Sequence, residues 1–414
     1  MGGVPTVHLV HFYSSPGGIE VLSSRLLTSF TGYLFRVFVV RPVTEGRINV
    51  YEGAVVPVSY GSCNNLRAMF RLWRYARRYR SEIFHLFNLG PFFLMTVRLA
   101  GAKRIIYSIH GTRYWKNSWQ RAVRKPLWRW AIGKNVKITS NSEYSRRVFL
   151  EKVYHGAEIQ VVYNPMSSGR FVPYQNSSRG IVTPPVSKET GMNEERGMMK
   201  EAGPMTERGR MKEPGVMKDT GMVKEPGVMK MPQMAKEPGI MKIVYAGRLD
   251  RGKNLEKWID VAVDLHRGLK MTLFEIYGTG PMYESLAARI RSKGAEDYIA
   301  IKGYRSDIEN VYREADLLLF LSEYESFGNV VVESILCGTP VIASDIPSMR
   351  EIFRDYPLFL VSPEGDLSGQ VAALMQDYDS LANAAISAGV NFRERFSEKG
   401  YIDTLDKIYL SFNG

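Results

Sequence analysis

Short runs of consecutive apolar residues recur along the chain, each closed by a polar or glycine-containing loop and most followed by a helical pattern. In the first half the strand-like runs are Val7–Phe12, Phe35–Val40, Ile83–Phe87, Ile105–Ile109, Val136–Thr139 and Ile159–Tyr163. Helical spacing predicts helices over Ile19–Phe30, Leu66–Tyr79 and Trp119–Ile132. In the second half the runs are Ile243–Ala246, Thr272–Tyr277, Tyr298–Ile301, Leu317–Leu321, Val341–Ala343 and Leu358–Val361, with helices over Leu255–His266, Met282–Ser292 and Val330–Cys337. Strands that are apolar at nearly every position are buried on both faces, and alternation with helices makes a parallel sheet. The expected fold class is α/β: two Rossmann-like doubly wound domains, one in each half. Ligands of such sheets sit beyond the carboxyl ends of the strands, so chemistry is sought just after each strand.

A repeat separates the halves. From Lys188 to Met241 the chain runs through nine hexads, beginning KETGMN and ending KEPGIM. Glycine holds the fourth place in all but one, often after proline, so neither a helix nor a strand ladder propagates. A hexad solenoid would need more apolar positions than the one each hexad offers. The segment reads as a disordered, low-complexity insertion.

The chain has 414 residues, 45% of them hydrophobic and 23% charged, which excludes a wholly disordered or collagen-like polymer. Two cysteines, Cys63 and Cys337, exclude a disulfide-built scaffold. Met1–Val10 lacks a basic start followed by an apolar core, so no signal peptide is expected. The greasy stretch Ile83–Ala102 is interrupted by His85, Asn88, Pro91 and Arg98, so it is not expected to span a membrane. The formal charge of +13 implies an anionic partner: phosphate, an acidic membrane or nucleic acid.

Five loops could carry chemistry. Gly17-Gly18 after the first strand would let backbone amides approach a ligand, and a tight turn explains them as well. Arg248 and Lys253 follow the first strand of the second half, where two cations suit a diphosphate; an ordinary basic loop is the alternative. Gly278 and Gly280 permit close backbone contact, with a plain turn again the alternative. Glu325 follows a strand and Glu333 lies on the next helix, a separation that suits the two ends of a nucleotide sugar. The amides of Phe327, Gly328 and Asn329 would then face the diphosphate. Two helix-start acids are the alternative, against which Glu333 stands in an apolar run where an unpaired carboxylate is costly. His110 follows the strand Ile105–Ile109. No histidines and cysteines show metal-ligand spacing, and Asp377-Tyr378-Asp379 reads as solvated surface, so no metal is expected.

In order and spacing, Gly17-Gly18-Ile19-Glu20, Ile109-His110-Gly111, Asn141-Ser142-Glu143, Gly247-Arg248-Leu249 with Lys253-Asn254, Gly278-Thr279-Gly280-Pro281 and Glu325-x7-Glu333 resemble the retaining nucleotide-sugar glycosyltransferases of family four. The resemblance implies the GT-B fold, with the two domains facing across a cleft. It implies that Arg248 and Lys253 hold the donor diphosphate, Glu325 the donor sugar and Glu333 the ribose, with His110 against the hexose. The expected organisation is an acceptor-side domain over 1–170, a linker over 171–241, a nucleotide-sugar domain over 242–395 and a helix at 396–414 returning to the first domain. No cofactor is expected. The co-substrate would be a nucleoside diphosphate sugar, UDP- ahead of GDP-, and the acceptor a glycan or lipid-linked glycan of cell-envelope polysaccharide synthesis.

Between Leu66 and Lys137 there are seventeen Arg or Lys against one acid, Glu82, and five of the six tryptophans. In Leu66–Arg80 the spacing sets Leu66, Met69, Phe70, Trp73 and Ala76 on a packing face, with arginines opposite. In Trp115–Trp130 aromatics and bases interleave, and Trp115, Trp119, Arg121, Arg124, Lys125 and Trp128 are expected to dock on an anionic membrane. The protein would then be cytoplasmic and peripheral at the inner face of the cell membrane. Two alternatives are a basic nucleic-acid-binding or membrane-binding protein that is not an enzyme, and a nucleotide-sugar epimerase on the same fold. The first leaves Glu325 and Glu333 unexplained and lacks any nucleic-acid-binding signature. Glu325-x7-Glu333 with Arg248 and Lys253 weighs against the second.

Overall fold

Two parallel sheets organise the chain. The first comprises β1 (Thr6–His11), β2 (Leu34–Val39), β3 (Val58–Tyr60), β4 (Ile83–Phe87), β5 (Arg104–Ile109), β6 (Val136–Ser140) and β7 (Ile159–Val161), in the order β3-β2-β1-β4-β5-β6-β7. The second comprises β8 (Met241–Ala246), β9 (Thr272–Tyr277), β10 (Ile299–Gly303), β11 (Leu317–Phe320), β12 (Val341–Ser344) and β13 (Leu360–Val361), in the order β10-β9-β8-β11-β12-β13. The computed structural model describes residues 4–13, 22–23, 26–27, 30, 32–41, 56–115, 117–133, 135–167, 169–173, 240–269 and 272–412, all within one compact unit. Gly17, Gly18 and the repeat up to 239 lie outside the described residues; the last repeat residue, Met241, opens β8.

The central strands are buried at nearly every position, which is why they read as mostly apolar runs, with His8, His11 and His85 buried among them. The short edge strand β3 carries no such run and escaped the sequence reading. The first sheet is flanked by α1 (Asn65–Arg78), α2 (Pro91–Leu99), α3 (Ser118–Ile132) and α4 (Glu143–Lys152). The second carries α5 (Leu255–Leu269), α6 (Tyr283–Ser292), α7 (Ile308–Glu314), α8 (Asn329–Leu336), α9 (Pro347–Ile352), α10 (Leu367–Gln376) and α11 (Tyr378–Arg395). Side chains close the orphan amides at several starts: Asn64 caps α1, Asn117 caps α3, Ser142 caps α4 and Asp366 caps α10. Asp377 likewise caps α11 through the Ser380 amide. The stretch Ile83–Ala102 is β4 followed by α2, with Pro91 at the helix start. Among the described residues no helix is long and apolar enough to cross a membrane.

The last helix, α12 (Glu398–Leu410), packs in the core of the first lobe with Val7, Leu9 and Ile106. Its Tyr409 hydroxyl meets His85 Nδ1 at 2.8 Å, and Tyr33 donates to Asp406 at 2.6 Å. His85 Nε2 in turn meets Ser108 Oγ at 2.6 Å, so a buried polar chain ties the C-terminus to β4 and β5.

The structure departs from the sequence expectation on two helices. On α1 the buried residues are Ala68, Leu72 and Ala76. Leu66 is 77% exposed, Phe70 58% and Trp73 38%, so the packing face is turned away from these three, and of the expected face only Ala76 is fully buried. The small residues Ala68 and Ala76 let the helix lie close to its neighbours, and close approach outweighs the size of the apolar side chains. On α3, Trp128 is 2% exposed and packs edge-on against Tyr107 and Phe149 at 5.1 and 5.5 Å, so it is a core residue that meets no membrane. Trp119, at 72%, and Arg121 remain exposed, Arg124 and Lys125 are half-buried, and Trp115 packs half-buried beside Tyr114.

Candidate active site

The loops after β8 and β9 interlock. Gly247 and Gly278 have φ of 146° and 143°, values that side-chain-bearing residues rarely adopt. A Cβ on Gly278 would overlap the Gly247 carbonyl oxygen, and one on Gly280 would overlap that of Leu249. Leu249 N donates to Thr279 O at 2.9 Å and Met282 N to Leu249 O at 3.1 Å. The glycines therefore serve loop-to-loop contact and fix the backbone that carries Arg248.

Past Arg248 the chain makes a turn at Arg251–Lys253, stapled by the Asp250 carboxylate on the Gly252 amide at 3.1 Å. This turn aims Lys253 inward, where its ammonium forms an ion pair with Glu325 from the loop after β11. Both side chains are largely buried, and Ser322 Oγ lies 3.4 Å from the same carboxylate oxygen. An ammonium has three N–H donors, so one on Glu325 leaves two for a ligand. The Arg248 guanidinium, 74% exposed, lies 3.5 Å from Asp250.

Gly328, with φ of 106°, turns the chain into α8. Amides in a first helical turn have no intrahelical carbonyl and carry the positive end of the dipole. The Phe327 ring is buried against Phe396 at 5.3 Å, so this residue can offer a ligand only its backbone. Asn329 Oδ1 accepts from Asn164 of the first lobe at 2.9 Å. One turn on, Glu333 is half-buried and accepts from the Tyr312 hydroxyl at 3.2 Å, which answers the cost of a carboxylate in an apolar run.

The first lobe reaches this loop through Arg113, which motif reading did not single out, and through the Asn141-Ser142-Glu143 motif. The Arg113 guanidinium stacks 3.3 Å from the Tyr324 ring centre, and that ring leaves no room for a Cβ on Gly252. Ser142 Oγ donates to Ser326 O at 2.6 Å. Both oxygens of Glu351 accept amides of Glu143 and Tyr144 at 2.7 Å, capping α4 from the second lobe. The only sequence signal for Arg113 was its place three residues past His110; Glu351 gave none.

His110 receives a ring contact from Phe87 at 5.7 Å, and its amide donates to Asn88 Oδ1 at 3.3 Å. Enclosure pushes its pKa down to about 4, so the imidazole is neutral near pH 7. Burial also lowers His8, takes His11 to about 4 and takes His85 to about 3. The unfolded chain takes up these protons near pH 6.5 and the folded chain only at lower pH, below about 4 for His11, His85 and His110, so stability is lost as pH falls below about 6.5. Urea unfolding is expected to give a lower midpoint at about pH 5 than at about pH 7. The drop should shrink in a His85→Asn chain, which lacks one of the titrating rings.

Similarity to known proteins bears on what this arrangement is for. Residues 231–401 match the family model "Glycosyl transferases group 1", and residues 16–170 match "Glycosyltransferase Family 4". The two lobes are those of a group 1/family 4 glycosyltransferase. The chain shares 31% identity over 111 residues, 27% of its length, with the GtfA subunit of UDP-N-acetylglucosamine–peptide N-acetylglucosaminyltransferase from Streptococcus pneumoniae. It shares 32% over 114 residues, again 27% of the chain, with a Campylobacter jejuni N-acetylgalactosamine-N,N'-diacetylbacillosaminyl-diphospho-undecaprenol 4-alpha-N-acetylgalactosaminyltransferase. The chain spans only 22% and 30% of the length of these two relatives. In fold it is similar to Anabaena HepE in complex with UDP-glucose, with a TM-score of 0.68 at 16% identity over 98% of this chain and 99% of that one.

Proposed function

We propose that the protein is a retaining hexosyltransferase that takes a sugar from a nucleoside diphosphate donor, a UDP-sugar ahead of a GDP-sugar. The acceptor is a lipid-linked or other glycan in the synthesis of a cell-envelope polysaccharide. The observation that carries this reading is the Lys253–Glu325 pair set at the carboxyl edges of β8 and β11, beside the N-terminus of α8. The UDP-glucose complex of HepE supports the donor class, and the diphospho-undecaprenol in the Campylobacter relative's name supports a lipid-linked acceptor.

In this reading Lys253, Arg248 and the amides of Phe327, Gly328 and Asn329 meet the charge that grows on the departing diphosphate. Glu325 grips hexose hydroxyls, Glu333 the ribose, and neutral His110 hydrogen-bonds the hexose. The bond from the anomeric carbon to the phosphate oxygen breaks as the acceptor oxygen bonds to the same face. The acceptor proton passes to the leaving phosphate oxygen. A covalent route would need two carboxylates about 5–5.5 Å apart across the scissile bond. Glu325 instead meets a lysine and a serine, Lys253 and Ser322, which favours front-face substitution. No metal is invoked, since cations and amides supply the electrophile.

The exposed Trp119 and Arg121 of α3, with half-buried Trp115, Arg124 and Lys125, hold the first lobe on an anionic membrane where a lipid-linked acceptor resides. The test of the chemistry is transfer from α-linked UDP-sugars to a glycan acceptor in the presence of a chelator, with the product anomer read by NMR. An α-product is expected; a β-product, or transfer that needs added metal, overturns the corresponding part.

A further inference from the structure

The outward side of α1 is unlike a solvated helix face. Leu66, Phe70 and Trp73 recur at helical spacing on one side and stand in solvent, with Phe70 and Trp73 stacked at 6.2 Å between ring centres. Beside this ridge the exposed Arg67, Arg71, Arg74 and Arg78 form a row, and no acidic residue occurs between Asn64 and Ser81. Glu82, the one nearby acid in sequence, is engaged by His8 Nε2 at 2.6 Å. Between the helix and the edge strand β3 lies a recess of about 330 Å³, lined by Tyr60, Arg71, Arg74, Tyr75, Arg78 and Tyr79. Arg71 is held there by a bond to the Gly61 carbonyl, and the Arg36 guanidinium lies 5.0 Å from the Tyr79 ring centre.

We propose that this recess is an anionic-phospholipid headgroup site, with the Leu66–Phe70–Trp73 ridge seated in the headgroup and acyl boundary of the bilayer. Guanidinium groups favour phosphate oxygens because their fork of donors fits them. The ridge selects a bilayer over a nucleic acid: Leu66 and Phe70 gain by leaving water, which a charged backbone does not offer them. A second copy of this chain is disfavoured by the like charge of the arginine rows. The site lies on the first lobe, on a different helix from the α3 surface. It rests on the membrane reading of the preceding section and adds a specific headgroup contact to it.

The experiment is sedimentation of the full chain with phosphatidylcholine vesicles, with and without phosphatidylglycerol, at low and high salt. The parent should pellet with the anionic vesicles and be released by salt. The double variant Arg74→Ala/Arg78→Ala should partition about 30-fold more weakly, at about fivefold per cation. Phe70→Ser should weaken binding to anionic vesicles with little change in its salt dependence. Unchanged thermal unfolding of these variants shows that folding is not the cause. If the parent pellets and Arg74→Ala/Arg78→Ala pellets equally, the headgroup site is wrong while the α3 surface stands, and Trp119→Ser then tests that surface. If the parent ignores anionic vesicles, the membrane reading itself fails. Competition by RNA for the same arginines in preference to lipid would also overturn the proposal.

Discussion

Lys253→Ala should lower kcat/KM by about 100- to 1000-fold, the loss of roughly 2.7–4 kcal/mol that follows removal of one preorganised donor to developing charge. The effect should fall on kcat more than on KM, because the diphosphate carries most charge as it departs. The substitution also strands the largely buried Glu325 carboxylate, whose remaining neighbour is Ser322. A loss of stability is therefore expected alongside the loss of turnover, and the two can be separated. Adding Glu325→Gln to Lys253→Ala should restore the thermal unfolding temperature, since an uncompensated charge is gone, and should leave turnover low. If instead turnover returns with stability, Lys253 acts only as a structural partner of Glu325.

The second large effect is expected at Gly278. Alanine there would place its Cβ into the Gly247 carbonyl oxygen at a backbone angle that side-chain-bearing residues avoid. Strain of this kind costs about 1–3 kcal/mol, and forced separation of packed atoms a similar amount. Gly278→Ala should therefore unfold at a lower urea midpoint and lose donor binding, because the displaced loop carries Arg248. Gly294→Ala provides the comparison: it also has a positive φ, 60°, but nothing within 4 Å of the added Cβ. If both alanine variants lose stability equally, the interlocked loops matter no more than the backbone angle.

What could be read from the sequence follows from which interactions are local. Strands such as Ile83–Phe87 and Thr272–Tyr277 were legible to the residue because burial on both faces selects a run of mostly apolar residues, with His85 and Glu275 as buried ionisable exceptions. β3 was not, since an edge strand of three residues carries no such run. On α1, spacing alone favours the large side chains Phe70 and Trp73 as the packing face. The structure packs Ala68, Leu72 and Ala76, because backbone approach is decided by the neighbour rather than by the helix. Trp128 shows the same limit on α3, where the neighbouring Tyr107 and Phe149 claim one tryptophan out of an interleaved row. In the candidate site, Lys253 and Glu325 were legible as charges at strand ends. The stacking of Arg113 on Tyr324 and the capping of α4 by Glu351 join residues far apart in the chain, so no local pattern announces them.

The geometry also explains why the loop after β11 is a sensitive place for both lobes. Tyr324, Glu325 and Ser326 each face a different partner: Arg113, Lys253 and the Ser142 hydroxyl. A donor that draws Lys253 toward its phosphates would act on a loop already tied to the first lobe on either side.

The central claim is that cations and helix-start amides of the second lobe hold the donor diphosphate. Its most direct measurement is calorimetric titration of UDP into the chelator-treated protein, parent beside Lys253→Ala. Binding by the parent with at least tenfold weakening in the variant is the predicted result. Equal affinity in the two proteins would contradict the account.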